Sequence, residues 1–196
     1  MTTADLSPAD EKTALRKKIR AARHARSNEE RAHAAASIAD LALPLLTDCA
    51  VVACYVSMPT EPGTSELIDL LRQRKTRILL PRVSGTSLEW IELTDETRFT
   101  ASSLGMQEPG GNSHADAIAH CDGIVMPALA VSRDGMRLGQ GGGFYDRILE
   151  SLPSHADGGP LRIAVIFDDE ILDHVPCEPH DSRVDLGLTP ERVLSF

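Results

Sequence analysis

The chain has 196 residues, of which 42% are hydrophobic and 25% charged, and a formal net charge of −9. That length suits one domain of about 100–200 residues, and the composition excludes collagen-like and disordered classes. The acidic balance argues against nonspecific nucleic-acid binding, and no apolar run approaches the roughly 20 residues that a membrane span needs.

The charge is uneven. Residues 1–26 hold seven Lys/Arg against three Asp/Glu, so one end is locally basic. The opening "MTTADLSPADEKTALRKKIR" has no apolar centre of the kind a secretory signal carries, which predicts a cytoplasmic protein. Cys49, Cys54, Cys121 and Cys177 form no C-x-x-C pair and read as reduced, mostly buried thiols. The expectation is a monomer that binds neither nucleic acid nor membrane.

Ser7, Pro8 and Asp10 read as an N-cap, a proline at the first helical position and an acid in the first turn, predicting a basic helix over about 7–26. Leu15, Ile19 and Ala22 form its apolar stripe, with Lys12, Arg16, Arg20 and Arg23 on a neighbouring face. By itself such a face is better explained by solvation than by a ligand. "SNEE" from Ser27 is a capping box that starts a second helix, with Pro44 marking a stop or kink near its end.

"AVVACYVSM" is a continuous apolar run suited to a strand buried on both faces. The turn-rich "PTEPGTS", the helix "ELIDLLRQR" and the strand "TRILLPRV" complete a βαβ unit. "TSLEWIEL" alternates as a strand with one exposed face, and residues 94–115 read as loop with short elements. "DGIVMPALAV" is read as one more buried strand, and with the helix "FYDRILESL" and the strand "RIAVIF" it makes a second βαβ unit. The fold class is therefore α/β: a mostly parallel open sheet with helices on both faces, preceded by two helices, in a single domain over 1–196. Both "SMPTEPGTS" and "SRDGMRLGQGGG" follow strands and precede helices, so both should open onto the carboxyl edge of the sheet, where such folds bind ligands.

Gly139, Gly141, Gly142 and Gly143 run into the helix at Phe144. Glycines there expose successive backbone N–H groups, and a helix start adds further unpaired amides, so the segment fits an anion cradle as well as it fits a plain turn. It is neither a Walker loop nor a dinucleotide fingerprint. Arg137 could grip a phosphate with two hydrogen bonds. Asp146 beside such a cradle would repel the ligand unless a cation, naturally magnesium, lay between them; simple helix capping is the competing reading. "EPHDSRVD", an acidic loop over about 176–185, offers Asp181 as a second carboxylate, or is a solvated surface loop. The histidines show no H-E-x-x-H pattern, His180 reads as part of a turn, and no serine has the G-x-S-x-G setting of a hydrolase nucleophile.

"MPALAVSRDGMRLGQGGGFYDRIL" resembles the signature of the 5-formyltetrahydrofolate cyclo-ligase family, and three further stretches are similar to it in order. They are "EKTALRKKIRAAR", "YVSMPTEPGTSELI" followed by "LLPRV", and "VPCEPHDSRVD". The resemblance implies a magnesium- and ATP-dependent cyclisation of 5-formyltetrahydrofolate to 5,10-methenyltetrahydrofolate, through a phosphorylated formyl group. It implies Lys12 and Arg16 on the nucleotide phosphates, and an ATP cradle of Arg137, Leu138, Gly139, Gln140, Gly141, Gly142, Gly143, Phe144 and Tyr145. Arg137 and Tyr145 would act at the reacting groups. Folate would contact Met58, Glu61 and residues 140–144, and magnesium would bind Asp146 and Asp181.

The sequence departs from the family pattern at Gln140 and Gly142, where some relatives carry a basic residue, and at Val131 and Ser132, where Phe-Asp is common. It departs again at Gly63, where an acid commonly precedes the threonine. Two other readings stay open: a relative acting on another formamide-like molecule, and a noncatalytic nucleotide-binding module.

Overall fold

A computed structural model describes residues 7–102, 106–114, 116–179 and 181–196. Helix α1 (Pro8–Ala25) starts as its sequence dictates, with the Ser7 hydroxyl accepting from the Asp10 N–H at 3.2 Å and Pro8 in the first turn. Helix α2 (Asn28–Leu45) carries the full capping box: the Glu30 N–H donates to the Ser27 hydroxyl at 3.1 Å, and the Ser27 N–H donates to the Glu30 carboxylate at 2.6 Å. Pro44 falls in its last turn, one residue before the helix ends.

Strand β1 (Val51–Ala53), helix α3 (Ser65–Gln73) and β2 (Arg77–Ser84) form the first βαβ unit, and β3 (Ser87–Glu92) returns antiparallel. A separate hairpin follows, β4 (Phe99–Ala101) with β5 (Gln107–Pro109). Strand β6 (Gly123–Pro127) leads into β7 (Ala130–Ser132), β8 (Arg137–Leu138) and α4 (Phe144–Glu150). The chain ends with β9 (Leu161–Val165), β10 (Ile171–Leu172), β11 (Leu186–Leu188) and β12 (Val193–Ser195).

The main sheet has the order β12-β11-β9-β6-β1-β2-β3, parallel except for its two edge strands, and β10-β7-β8 form a smaller sheet. Side chains alternate across the main sheet as the pleat requires. Val52, Ile78, Leu80, Val125, Ile163 and Val165 pack beneath α2 and α3. Ala53, Leu79, Ile124, Met126 and Ala164 face the opposite layer, with Tyr145 and Leu149 of α4. Both faces are covered, which is why β1 and β6 are uninterrupted apolar runs. Among the described residues no helix is long and apolar enough to cross a membrane.

Two of the strands read from the sequence are shorter in the structure. "AVVACYVSM" keeps sheet geometry only through Val51–Ala53, plus one further bond from the Cys54 N–H to the Leu79 carbonyl. Beyond it the Tyr55 carbonyl is taken at 2.5 Å by the Thr64 hydroxyl, which folds the chain back as a loop. "DGIVMPALAV" is two strands in two sheets. Pro127 has no N–H to extend the ladder, the Ala128 carbonyl accepts from Arg23 at 2.6 Å, and the Leu129 N–H turns to the Leu138 carbonyl.

Helix α1 rests on the smaller sheet, where Leu15 and Ile19 meet Leu129, Ala130, Met136, Leu138 and Val175. A buried ion pair fixes its end: Arg23 donates to both oxygens of Glu170 at 2.7 Å, and the Glu170 carboxylate also accepts from the Phe167 N–H. Since the smaller sheet carries the glycine loop, this docking lays the basic face of α1 along that loop.

Candidate active site

A cavity of about 440 Å³ opens beyond the carboxyl ends of β1, β2 and β6, the edge expected of an open α/β sheet. One wall is the loop after β1, with Tyr55, Val56, Met58 and Glu61. A second is the β2–β3 hairpin, with Pro81, Val83 and Leu88. The third is the glycine loop and the start of α4, with Arg137, Gly139, Gln140, Phe144, Tyr145 and Asp146. Most of this surface is apolar, so its few polar groups determine what it can hold.

The glycine loop is gripped from outside by arginines. Arg16 Nε donates to the Gly139 carbonyl at 3.0 Å, Arg20 to the Gln140 carbonyl at 2.9 Å, and Arg147 to the Gly142 carbonyl at 3.0 Å. Among the described residues the N–H groups of residues 140–143 have no protein acceptor. Carbonyls drawn outward and amides left unpaired are what an anion cradle requires. The glycines follow from this crowding. A Cβ on Gly139 would lie 2.8 Å from the Arg137 guanidinium, and Gly143, at φ 63°, occupies the left-handed region that side chains disfavour.

Arg137, only 4% exposed, forms the floor. It donates to Asp146 Oδ1 at 2.6 Å, its guanidinium lies 5.8 Å from the Tyr145 ring centre, and its Nε has no partner among the described residues. The Tyr145 hydroxyl is likewise buried without a partner among the described residues, and burial pushes its pKa far up, so it stays a neutral donor. Two orphaned polar groups on one cavity wall point to a ligand that satisfies them.

Glu61 is 5% exposed, with one carboxylate oxygen accepting from the Met58 N–H at 3.0 Å and the other from Gln140 Nε2 at 3.2 Å. Burial raises its pKa, while these two bonds and the positive charge of Arg23 only partly offset that. The departure at Gly63 has a steric reason: a Cβ there would sit 2.6 Å from that of Ala35, where the loop lies on α2. A second acid at this place is excluded by packing.

The remaining residues singled out in the sequence separate into two groups. Leu138 is buried in the core under α1, and its side chain does not line the cavity. Lys12, 4% exposed, sits with its ammonium between Glu178 at 2.7 Å and Asp181 at 2.5 Å. Burial lowers its pKa, the two carboxylates raise it more, and it remains an ammonium. Asp181 also accepts from the Glu178 N–H, and it is not among the residues that line the cavity, whereas Asp146 is. His180 lies outside the described residues.

Among the described residues no three His, Cys, Asp or Glu side chains converge as a metal site. Magnesium, however, is commonly held by one or two carboxylates together with phosphate oxygens. Asp146 fits that role, since it lines the cavity and only its Oδ1 is engaged by Arg137. Sequence reasoning missed Tyr55, the apolar hairpin wall and Glu178. It placed Arg20 on the basic face without a role; the signal available was its spacing of four residues from Arg16, which puts both on one side of the helix.

The model of the 5-formyltetrahydrofolate cyclo-ligase family matches residues 8–190. The 5-formyltetrahydrofolate cyclo-ligase of Mycolicibacterium smegmatis is 40% identical over 148 residues, which cover 72% of this chain and 74% of that protein. The mouse protein of the same name is 29% identical over 143 residues, covering 68% of this chain and 70% of that one. Among solved structures, 5,10-methenyltetrahydrofolate synthetase from Aquifex aeolicus shares the fold with a TM-score of 0.79 at 24% identity, covering 94% of this chain and 92% of that chain. By the match along almost its whole length, and by a sheet edge where the matching β1-loop and glycine-loop motifs meet around one cavity, this chain belongs to the 5-formyltetrahydrofolate cyclo-ligase family.

Proposed function

We propose that the cavity carries out the ATP-dependent closure of 5-formyltetrahydrofolate to 5,10-methenyltetrahydrofolate, with ADP and phosphate released. The formyl oxygen attacks the terminal phosphorus of ATP and ADP leaves. The neighbouring folate amine then adds to the activated carbon, and phosphate departs with the amine's proton. Phosphorylation is needed because an amide oxygen is a poor leaving group. The observation that carries this reading is the pairing, on adjoining walls of one cavity, of an amide cradle without protein acceptors among the described residues and a buried acceptor at Glu61.

In this reading the amides of residues 140–143 receive phosphate oxygens, while Arg137 and the Tyr145 hydroxyl meet the oxygens between which the phosphoryl group moves. Arg16 adds positive charge from α1, and Lys12 adds its own by exchanging Glu178 or Asp181 for a phosphate oxygen. Glu61 accepts N–H groups of the folate ring, and Met58, Val83, Leu88 and Phe144 hold its apolar parts. Such a site works by alignment and charge neutralisation and needs no covalent nucleophile. Magnesium, when bound, supplies charge neutralisation on the phosphates, and Asp146 is the residue placed to hold it. All these groups come from one chain, so a monomer suffices.

The direct test follows methenyl-folate absorbance with 5-formyltetrahydrofolate, ATP and magnesium. Formation of the product that saturates in both substrates is expected; ATP cleavage stimulated by another formamide and not by the folate would replace this reading with its rival. Lys12→Ala is expected to raise the KM for ATP by about tenfold, the worth of one charged contact, and to change the folate KM less. Steady-state kinetics with each substrate varied checks this, and a larger rise for folate would move Lys12 away from the nucleotide.

A further inference from the structure

The polar bridge that crosses the cavity wall begins on α1. Arg20 Nε and its terminal nitrogen donate to Gln140 Oε1 at 3.1 and 2.9 Å, and the same terminal nitrogen donates to the Gln140 carbonyl at 2.9 Å. The other end of that amide, Nε2, donates to Glu61 Oε1 at 3.2 Å. A glutamine amide has an acceptor end and a donor end, and turning it over would set its oxygen against the Glu61 carboxylate. Two guanidinium donors on the oxygen forbid that turn.

We propose that Arg20 is a positioning residue for the folate, acting through Gln140 to hold the Glu61 carboxylate oriented toward the ring. The inference rests on the placement of folate against Glu61 and adds a residue that touches neither substrate. It also gives a reason for an uncharged residue at position 140. A glutamine passes the fixed charge of Arg20 to the folate wall as a directed N–H, while leaving the cradle amides to the phosphates.

The bridge has a pH signature. The groups bearing on Glu61 are Arg23 of α1, whose charge favours the carboxylate, and Tyr55 and Tyr145, both kept neutral by burial. Arg137, Asp146 and Glu108 line the same cavity. The Gln140 N–H favours the ionised form, so losing it raises the proton affinity of Glu61 further. Folate binding that needs the carboxylate then fails at a higher pH than in the parent enzyme.

The experiment measures KM for each substrate, and kcat/KM for 5-formyltetrahydrofolate against pH, by ADP release for the parent, Arg20→Ala, Arg20→Lys, Gln140→Ala, the Arg20→Ala/Gln140→Ala double variant and Glu61→Gln. Arg20→Ala and Gln140→Ala are each expected to raise the folate KM by about tenfold, with a smaller change for ATP and the acid limb displaced to higher pH. Arg20→Lys should recover part of that displacement, and the double variant should fall short of the two single effects multiplied, as expected of residues acting in series.

If Arg20→Ala raises the KM for ATP at least as much as that for folate, with the acid limb in its parental place, the proposal is overturned and Arg20 merely pins the loop through its carbonyl. If Glu61→Gln leaves both the folate KM and the pH profile unchanged, the folate placement itself fails. If Glu61→Gln has its effect while Arg20→Ala does not, only the bridge fails.

Discussion

Arg137→Ala is expected to lower kcat for ring closure by about 10²–10³, the usual loss when one preorganised donor is removed from a transition state. The guanidinium stands against Asp146 at 2.6 Å, 5.8 Å from the Tyr145 ring centre, and its Nε has no partner among the described residues, so it is held ready for charge that the ground state lacks. Arg137→Lys should recover only part of the rate, because an ammonium cannot serve Asp146 and a second acceptor with the same planar fork. Steady-state kinetics, with thermal unfolding of each variant, separates chemistry from folding. A kcat within threefold of the parent in a folded Arg137→Ala enzyme would remove this residue from the reaction.

The second large effect falls on stability, away from the cavity. Glu170→Ala leaves the Arg23 guanidinium, 1% exposed, without its counter-ion, and breaking a buried pair in this way costs about 3–5 kcal/mol. At roughly 2–4 °C per kcal/mol for a chain of this size, the melting temperature should fall by about 6–20 °C. Replacing both residues by methionine should cost less than Glu170→Ala, since no charge is then left buried. Calorimetry on the two variants checks this. A drop of under 2 °C for Glu170→Ala would mean that the guanidinium finds water or another partner, and that α1 docks by its apolar stripe alone.

What could be read from the sequence was local or periodic. Ser7 and Ser27 declared their helices because a cap is made within three residues, and Val52 through Cys54 declared a doubly covered strand because burial on both faces leaves only apolar side chains. The break between β6 and β7 had one mark in that run, Pro127, which lacks the N–H that a central strand needs. Nothing in "DGIVMPALAV" marks that the Ala128 carbonyl is taken by an arginine on α1.

The site divides along the same line. The glycine cradle was legible because its residues are contiguous and serve one purpose. The partners of Lys12 were not, because Glu178 and Asp181 lie 166 and 169 positions away in a loop with no pattern of its own. The apolar hairpin wall of Val83 and Leu88 gave no signal beyond that of an ordinary strand. The steric demand at Gly63 depends on Ala35, a contact between helix and loop that spacing cannot reveal.

The helix that grips the cradle stands at the start of the chain, and the carbonyls it grips come 120 and 123 positions later. On the ribosome, α1 is made well before this loop and must wait for it to emerge before it can hold it. The neighbouring pair β1 and β2 closes over a short span, whereas the brace on the cradle closes one of the longest spans in the molecule, an entropically slow event. In refolding, sheet structure should therefore return before enzymatic competence, and the interval between them times the arrival of this single helix.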